Sequence, residues 1–226
     1  MVRRLLLLLM PLPACAAAAV SAPAPMREGM PLVFHEDFRD GEAALARFEV
    51  DDPGSWRVAQ VDGAPVLELF RAQAPSGSTP PVRAARNQAW WIGASVSAFV
   101  LEARLRSTAK PAGTRDLCVL FGGVDARHFL YAHLGQKADG VHHHIHVVDG
   151  APRVAISQWR SAGTPWTDGW HRVEVSRSAT GAIAVRFDGV AAITAQETRM
   201  PVGRIGLGSF DDPGQFASLS VWGIRP

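Results

Sequence analysis

Over most of the chain apolar and polar residues alternate with a period of two, the pattern of strands that bury one face. In Ile183-Ala184-Val185-Arg186-Phe187 the residues Ile183, Val185 and Phe187 share one side. In Leu101-Glu102-Ala103-Arg104-Leu105-Arg106 the charged residues Glu102, Arg104 and Arg106 project opposite the apolar ones. The pattern predicts strands at 33–38, 56–61, 66–70, 99–106, 117–122, 128–134, 142–148, 153–157, 170–176, 182–187, 204–209 and 217–222. Asp-Gly pairs at 40–41, 62–63, 139–140, 149–150, 168–169 and 188–189 fall mostly between such runs and mark hairpin turns. Residues 42–48 read as a helical turn, and residues 71–88, rich in Ala, Pro, Ser and Gly, read as one long surface loop. A dozen short strands in roughly 200 residues fit two packed sheets better than one open sheet. The expected fold is all-β, a two-sheet antiparallel β-sandwich.

The first residues depart from this pattern. Arg3-Arg4, an apolar run from Leu5 to Leu12 and small residues from Ala14 to Ala22 follow the order of a secretory signal. Residues 1–22 are therefore expected to be a signal peptide and residues 23–31, with Pro23 and Pro25, a short tether to one domain at 32–226. Cleavage after Ala18 or Ala19 competes with a lipoprotein reading of Leu12-Pro13-Ala14-Cys15, in which Cys15 is the anchor. Either route implies a secreted or periplasmic protein. The leader also carries the charge excess: the 226 residues hold 23 Lys and Arg against 21 Asp and Glu, and without Arg3 and Arg4 both stand at 21. A neutral chain excludes backbone binding to nucleic acid, and no later stretch reaches the roughly 18 apolar residues of a spanning helix, so the protein is not expected to be transmembrane. With Cys15 in the leader, Cys118 stands alone and is expected to be a small buried hydrophobe.

Three segments resemble a known group. Val33-Phe34-His35-Glu36-Asp37-Phe38, then Trp170-His171-Arg172-Val173-Glu174-Val175 with Ile183 to Gly189, and then Gly206-Leu207-Gly208-Ser209-Phe210 with Phe216 and Trp222 are similar to concanavalin A-like jelly rolls. More narrowly, they resemble the laminin-G-like domains of secreted bacterial proteins near the 3-keto-disaccharide hydrolases and family 16 glycoside hydrolases. The likeness spans residues 32–223 and implies a jelly roll whose first and last strands pair and whose curved sheet offers a groove to sugars. It also implies a structural Ca²⁺ near Glu36, Asp37, Asp211 and Asp212. The Glu-x-Asp-x-x-Glu motif of the retaining family 16 enzymes is missing. Glu49-Val50-Asp51 comes nearest, with Gly54 in the third place, which disfavours a laminarinase-type mechanism.

Candidate chemistry gathers in the hairpin from Phe129 to Val148. A turn at 135–140 would pair Phe129 with His146, Tyr131 with His144 and His133 with His142, bringing imidazoles and the one tyrosine to a common face. His143 would fall on the apolar side unless a bulge intervenes. Three readings compete: a divalent metal on His142 and His144 with His133 as a third ligand, a sugar-binding or catalytic face with His133 as base and Tyr131 as acid, and a solvated polar face. If Glu102, Arg104 and Arg106 adjoin that face, the residue types resemble those of jelly-roll polysaccharide lyases, where Arg offsets a uronate while His and Tyr move protons in β-elimination. Salt-bridged surface charges are the alternative. Asp125 and Arg127 would either wall a groove or cap a turn. Trp90 and Trp91 must point opposite ways, leaving one, assigned here as Trp91, as a sugar platform; Trp159 and Trp166 bracket another loop. His171 reads as a satisfied core histidine.

These features converge on a secreted carbohydrate-engaging jelly roll with Tyr131, His133, His142, His144, Glu102 and Arg104 as its face and Arg106, Trp91, Arg127 and Asp125 beside it. As an enzyme it would cleave a glycoside by general acid/base work, as the resemblance to the keto-disaccharide hydrolases implies. The alternatives are a non-catalytic glycan-binding module and an adhesion domain of a cell-envelope assembly.

Overall fold

A computed structural model describes residues 22–72 and 82–226. The expected leader through Ser21, Cys15 included, and the centre of the expected long loop at 73–81 lie outside the described residues. In chain order the elements are β1 (Met26–Arg27), β2 (Met30–Glu36), α1 (Glu42–Leu45), β3 (Phe48–Val50), β4 (Trp56–Val61), β5 (Ala64–Leu69), β6 (Asn87–Trp91), β7 (Phe99–Ser107) and β8 (Cys118–Asp125). There follow β9 (His128–His133), β10 (His144–Asp149), β11 (Val154–Ala155), β12 (Ser157–Arg160), β13 (His171–Arg177), β14 (Ala182–Phe187), β15 (Val190–Gln196), β16 (Arg204–Ser209) and β17 (Gly214–Gly223). No helix among the described residues is long and apolar enough to cross a membrane.

The strands form two antiparallel sheets. One has ten strands, in the order β1-β2-β17-β7-β13-β14-β15-β12, with β5 also on β17 and β4 on β5. The other has seven, in the order β11-β10-β9-β8-β16-β6-β3. The first long strand pairs with the last, as the jelly-roll resemblance implies: Phe34 faces Val221 and Glu36 faces Leu219. A bulge in β17 between Phe216 and Ser218 bends the strand. Its first residues lie beside β5 and its later ones beside β2. Residues 23–31, expected as a tether, lie against this sheet. Trp222 Nε1 donates to the Ala24 carbonyl at 2.7 Å, and β1 folds back on β2.

Period-two alternation decides which side chains enter the core. Leu101, Ala103 and Leu105 of β7 are fully buried against Val119 and Phe121 of β8 and Leu130 and Ala132 of β9, within one apolar cluster. Two of the six Asp-Gly pairs form hairpins that need left-handed backbone at both positions: Asp62-Gly63 (φ 52° and 80°) and Asp188-Gly189 (φ 49° and 82°). β1, β3, β6, β12 and β15 escaped the pattern, and two of them show why. In β15 an extra residue interrupts the register against Val185 and Arg186, so Ala192 and Ile193 are both buried in succession and the alternation breaks. In β6 every residue is buried, so no polar face marks it as a strand.

The opposed faces of β7 give a direct test. Leu101→Ala should cost about 2–5 kcal/mol of unfolding free energy, as buried leucines do, while Arg104→Ala on the outer face should stay within about 0.5 kcal/mol. Urea denaturation measures both, and equal costs would contradict this placement.

Candidate functional site

The hairpin β9–β10 keeps the expected faces but shifts in register. His133 pairs with His144, Tyr131 with His146 and Phe129 with Val148, two residues further along β10 than a turn at 135–140 would give. A shift by two preserves side-chain direction, so Phe129, Tyr131, His133, His144 and His146 do share the outer face of the seven-stranded sheet. That face is not open. Tyr131 and His133 are 0% exposed and His146 1%. Val82, Ala84 and Ala85, in the tail of the expected surface loop, roof the sheet and form a second apolar cluster with Trp90, Cys118, Leu120, Phe129, Tyr131 and Val148. The physical reason is visible in 117–121, an unbroken apolar run whose outward side chains also need cover. Cys118 is buried in this layer as expected, and burial pushes its thiol pKa well up.

Beside this layer a polar cluster gathers around Asp116, which is 1% exposed two residues before β8. Its Oδ1 accepts hydrogen bonds from Ser209 Oγ and the Phe210 amide, each at 3.0 Å, and its amide donates to Asp212 Oδ2 at 2.7 Å. Its Oδ2 lies 3.1 Å from His133 Nε2, at ion-pair distance but without hydrogen-bond alignment. Burial opposes the charge of Asp116, yet the adjacent His133 ring and the bonds from Phe210 and Ser209 hold its carboxyl below the usual range. Burial, with Asp116 and Asp211 close by, pushes Asp212 up to about 6. Asp211 is raised by burial and by the Asp116 charge. Over the cluster lies Phe210, with the guanidiniums of Arg153 and Arg86 at 4.1 and 5.5 Å from its ring centre. Arg153 also donates to the Tyr131 hydroxyl at 3.0 Å, and burial drives that phenol far above its ordinary pKa.

Each histidine of the strand goes its own way. Ser157 Oγ accepts the Ile145 amide and so turns its proton to His144 Nδ1 at 3.2 Å, while His144 Nε2 donates to the Asp139 carbonyl at 3.1 Å. Both its nitrogens are thereby used. His142 Nδ1 donates to Asp139 Oδ2 at 2.7 Å. Among the described residues the metal-capable donor groups are Asp116, Cys118 and His133, and Asp116, Asp211 and Asp212. The expected His142 and His144 pair is thus not assembled as a metal site. His146 stacks on Tyr131 at 5.0 Å, its Nδ1 buried without a hydrogen bond, and burial lowers its pKa to about 2. His143, at φ 58°, turns away to bond Thr164 Oγ1 and Ser161 Oγ at 3.0 and 2.9 Å, and burial lowers it to about 4.

The other expected site residues lie elsewhere. Glu102, Arg104 and Arg106 sit on the outer face of the ten-stranded sheet, separated from the histidines by the core, so the lyase-like ensemble is not assembled. Glu102 pairs with Arg27 and Arg172 at 2.6 and 2.8 Å. Arg104 and Arg106 lie 5.2 and 4.8 Å over the Trp170 ring. That face carries a cleft of about 330 Å³ lined by Arg27, His35, Glu102, Ser218, Ser220 and Trp222. Asp125 Oδ1 accepts the Arg127 amide at 2.7 Å, so this pair caps the β8–β9 turn. Trp91, expected as a sugar platform, is buried between the sheets and stacked on Phe34 at 4.2 Å, while Trp90 points outward under the roof. Trp159 is 51% exposed on edge strand β12, whereas Trp166 is buried and donates to the Leu134 carbonyl. Glu36 is tied to Arg47 and the Phe38 amide, so the four acids of the expected Ca²⁺ site do not meet; Asp211 and Asp212 join Asp116 instead. His171 is satisfied by Asp188 and Thr167, as expected. The sequence reading passed over Asp116, Arg153 and Phe210. An acid opening an apolar strand was the available signal, because a buried carboxylate demands partners.

The lowered histidines fix the acid stability. Their folded values lie below the ordinary 6.5, so the unfolded chain takes up protons first. Their contribution is complete above pH 6.5 and is lost as pH falls. For His143 alone the loss by pH 4 is about 3 kcal/mol. Urea midpoints should fall steeply from pH 7 to pH 4, and His143→Gln should flatten that fall.

No protein-family model matches the sequence, and no curated protein matches it. Solved structures match the fold. The carbohydrate-binding module CBM66 from Bacillus subtilis is 14% identical over 78% of this chain and 95% of that one, with a TM-score of 0.56. Domain 4 of AbnA, a GH43 extracellular arabinanase from Geobacillus stearothermophilus solved with arabinotriose, is 13% identical over 86% and 93%, with a TM-score of 0.53. A protein with a galectin-like fold from Bacillus subtilis is 9% identical over 86% and 97%, with a TM-score of 0.57. At such identities the likeness is one of fold, a two-sheet antiparallel β-sandwich of the jelly-roll kind.

Proposed function

We propose that the chain binds a carbohydrate at the mouth of the Asp116 cluster, where Arg86 and Arg153 lie over the Phe210 ring, Asp211 follows it in the chain and His142 packs on His133. The observation that carries the reading is the gathering of ionisable groups with shifted pKa values on one outer sheet face: buried Asp116, Tyr131, His144 and His146, half-buried Asp212 and exposed Asp211. Perturbed ionisable groups gather at functional sites, where burial and charged neighbours tune them. Guanidinium and carboxylate groups are planar and bidentate, which suits vicinal sugar hydroxyls, and an imidazole adds a single donor or acceptor. The resemblance of segments 33–38 and 206–210 to the 3-keto-disaccharide hydrolase group and the glycan ligands named for the fold neighbours support the same ligand class. The leader-like residues 1–22 support export to where such glycans lie.

Glycan-array retention followed by calorimetry tests the reading. A bound glycan should lose roughly tenfold or more in affinity with Arg153→Ala or Arg86→Ala, the loss expected for a hydrogen bond to a charged group. Arg104→Ala and Trp170→Ala, on the other outer face, should leave it unchanged. Silence across the array, or loss confined to the Arg104 face, would overturn the proposal. For export, N-terminal analysis of the chain made with its own leader should show a start after Ala18 or Ala19, or a lipidated Cys15. A retained Met1 would refute it.

A further inference from the structure

We infer that the sugar bound at this site carries an anionic group, a uronate carboxylate or a sulfate ester, held by the guanidiniums of Arg86 and Arg153. The inference rests on the carbohydrate reading above and narrows it. Its first ground is a pair of charges without counter-charges. Arg153 and Arg86 stand 4.1 and 5.5 Å from the centre of the same Phe210 ring, which puts their guanidinium carbons no more than about 10 Å apart, a Debye length in dilute salt. Among the described residues neither forms an ion pair, and residues 1–21 and 73–81 contain no Asp or Glu that could supply one. Arg83, whose carbonyl accepts the Arg153 amide at 2.9 Å, adds a third exposed guanidinium in the same state.

The opposite outer face supplies the contrast. There Arg27, Arg172 and Arg186 are all paired with Glu102 or Glu174, so the chain itself provides their counter-charges. At the mouth of the Asp116 cluster the nearby acids are engaged inward. Asp116 Oδ1 accepts from Ser209 and the Phe210 amide, its Oδ2 lies against His133, and Asp212 Oδ2 accepts the Asp116 amide. Asp211 is left as the exposed carboxylate, one against three guanidiniums.

The second ground is that Arg153 is already placed for recognition. Its Nη1 donates to the Tyr131 hydroxyl at 3.0 Å, its amide is held by Arg83, and its guanidinium carbon lies over Phe210. A guanidinium has five N–H donors in a rigid fork, so this one bond leaves donors for a ligand. A carboxylate or a sulfate presents the paired oxygens that such a fork grips in parallel and also neutralises the charge. A neutral hydroxyl does neither.

The test compares glycans that differ only in charge. The full chain is screened on an array of neutral, uronate-containing and sulfated glycans, with oligogalacturonates and κ-carrageenan oligosaccharides as the named acidic probes. Every acidic glycan retained is measured again by calorimetry after methyl esterification of its carboxylates or removal of its sulfates. Esterification or desulfation should cost about tenfold or more in affinity, and binding of the acidic form should weaken as NaCl is raised. Which treatment abolishes binding identifies the anionic group. The double variant Arg86→Gln/Arg153→Gln should keep its circular dichroism spectrum and bind the acidic and neutralised forms equally, whereas Arg104→Gln, on the other outer face, should preserve the preference. Retention of neutral glycans alone, equal affinity before and after neutralisation, or a preference that survives in the double variant would overturn the inference while leaving carbohydrate binding in place. Equal binding of a DNA duplex would show a general polyanion surface and overturn it too. An array on which no glycan is retained is instead the failure of the carbohydrate reading, and the inference falls with it.

Discussion

A carboxylate shut inside a protein survives as an anion only when other groups do the work of water, and Asp116 imposes that requirement on everything around it. Its oxygens and amide engage Ser209, Phe210 and Asp212 in the link between β16 and β17, and its second oxygen meets His133 of β9. The start of β8, the end of β16 and the end of β9 are thus held at one point. Without these bonds the burial of the charge would be prohibitive. With them, the outer layer of the seven-stranded sheet acquires a fixed polar corner in otherwise apolar surroundings, and Phe210 is positioned between two arginines.

The two outer faces of the sandwich solve different problems. On the ten-stranded sheet, Arg27 bridges Glu102 and Glu174, and Arg172 joins Glu102 in a solvated ionic lattice. Such exposed pairs are worth little individually, and they keep a broad sheet face wetted. On the seven-stranded sheet, Trp90, Leu120 and Phe129 are too apolar to face water, and residues 82–85 cover them. Histidines inside that layer are stacked or hydrogen-bonded rings, and burial lowers the pKa of His144 and His146.

How far the sequence could be read depends on where its period is clean. The alternation in 101–106 and 182–187 identified both strands and their faces, since each has one buried and one solvated side. Hairpin parity around Tyr131 and His133 was legible for the same reason, while register was not, because it hangs on a loop that runs to His143 rather than ending at Gly140. Strand β6 and the roof over Tyr131 were hidden because side chains buried on both sides carry no polar beat. Strand β15 was hidden by its bulge. Joining Glu102 and Arg104 to the histidines failed for a topological reason: like residue types on two strands say nothing about which sheet each strand enters. Asp116 could be suspected as a buried acid, but its partners at 209–212 come from a distant part of the chain.

The last long strand has a temporal meaning as well as a spatial one. β17 lies between β2 on one side and β7 on the other, and it also supports β5. Until residues 214–223 are available, β2, β5 and β7 have no common neighbour and the ten-stranded sheet remains in three pieces with raw edges. Closure therefore joins strands from opposite ends of the chain, a high-contact-order step that makes folding slow. The ten-stranded sheet is therefore completed only by the last ten-residue strand of the chain.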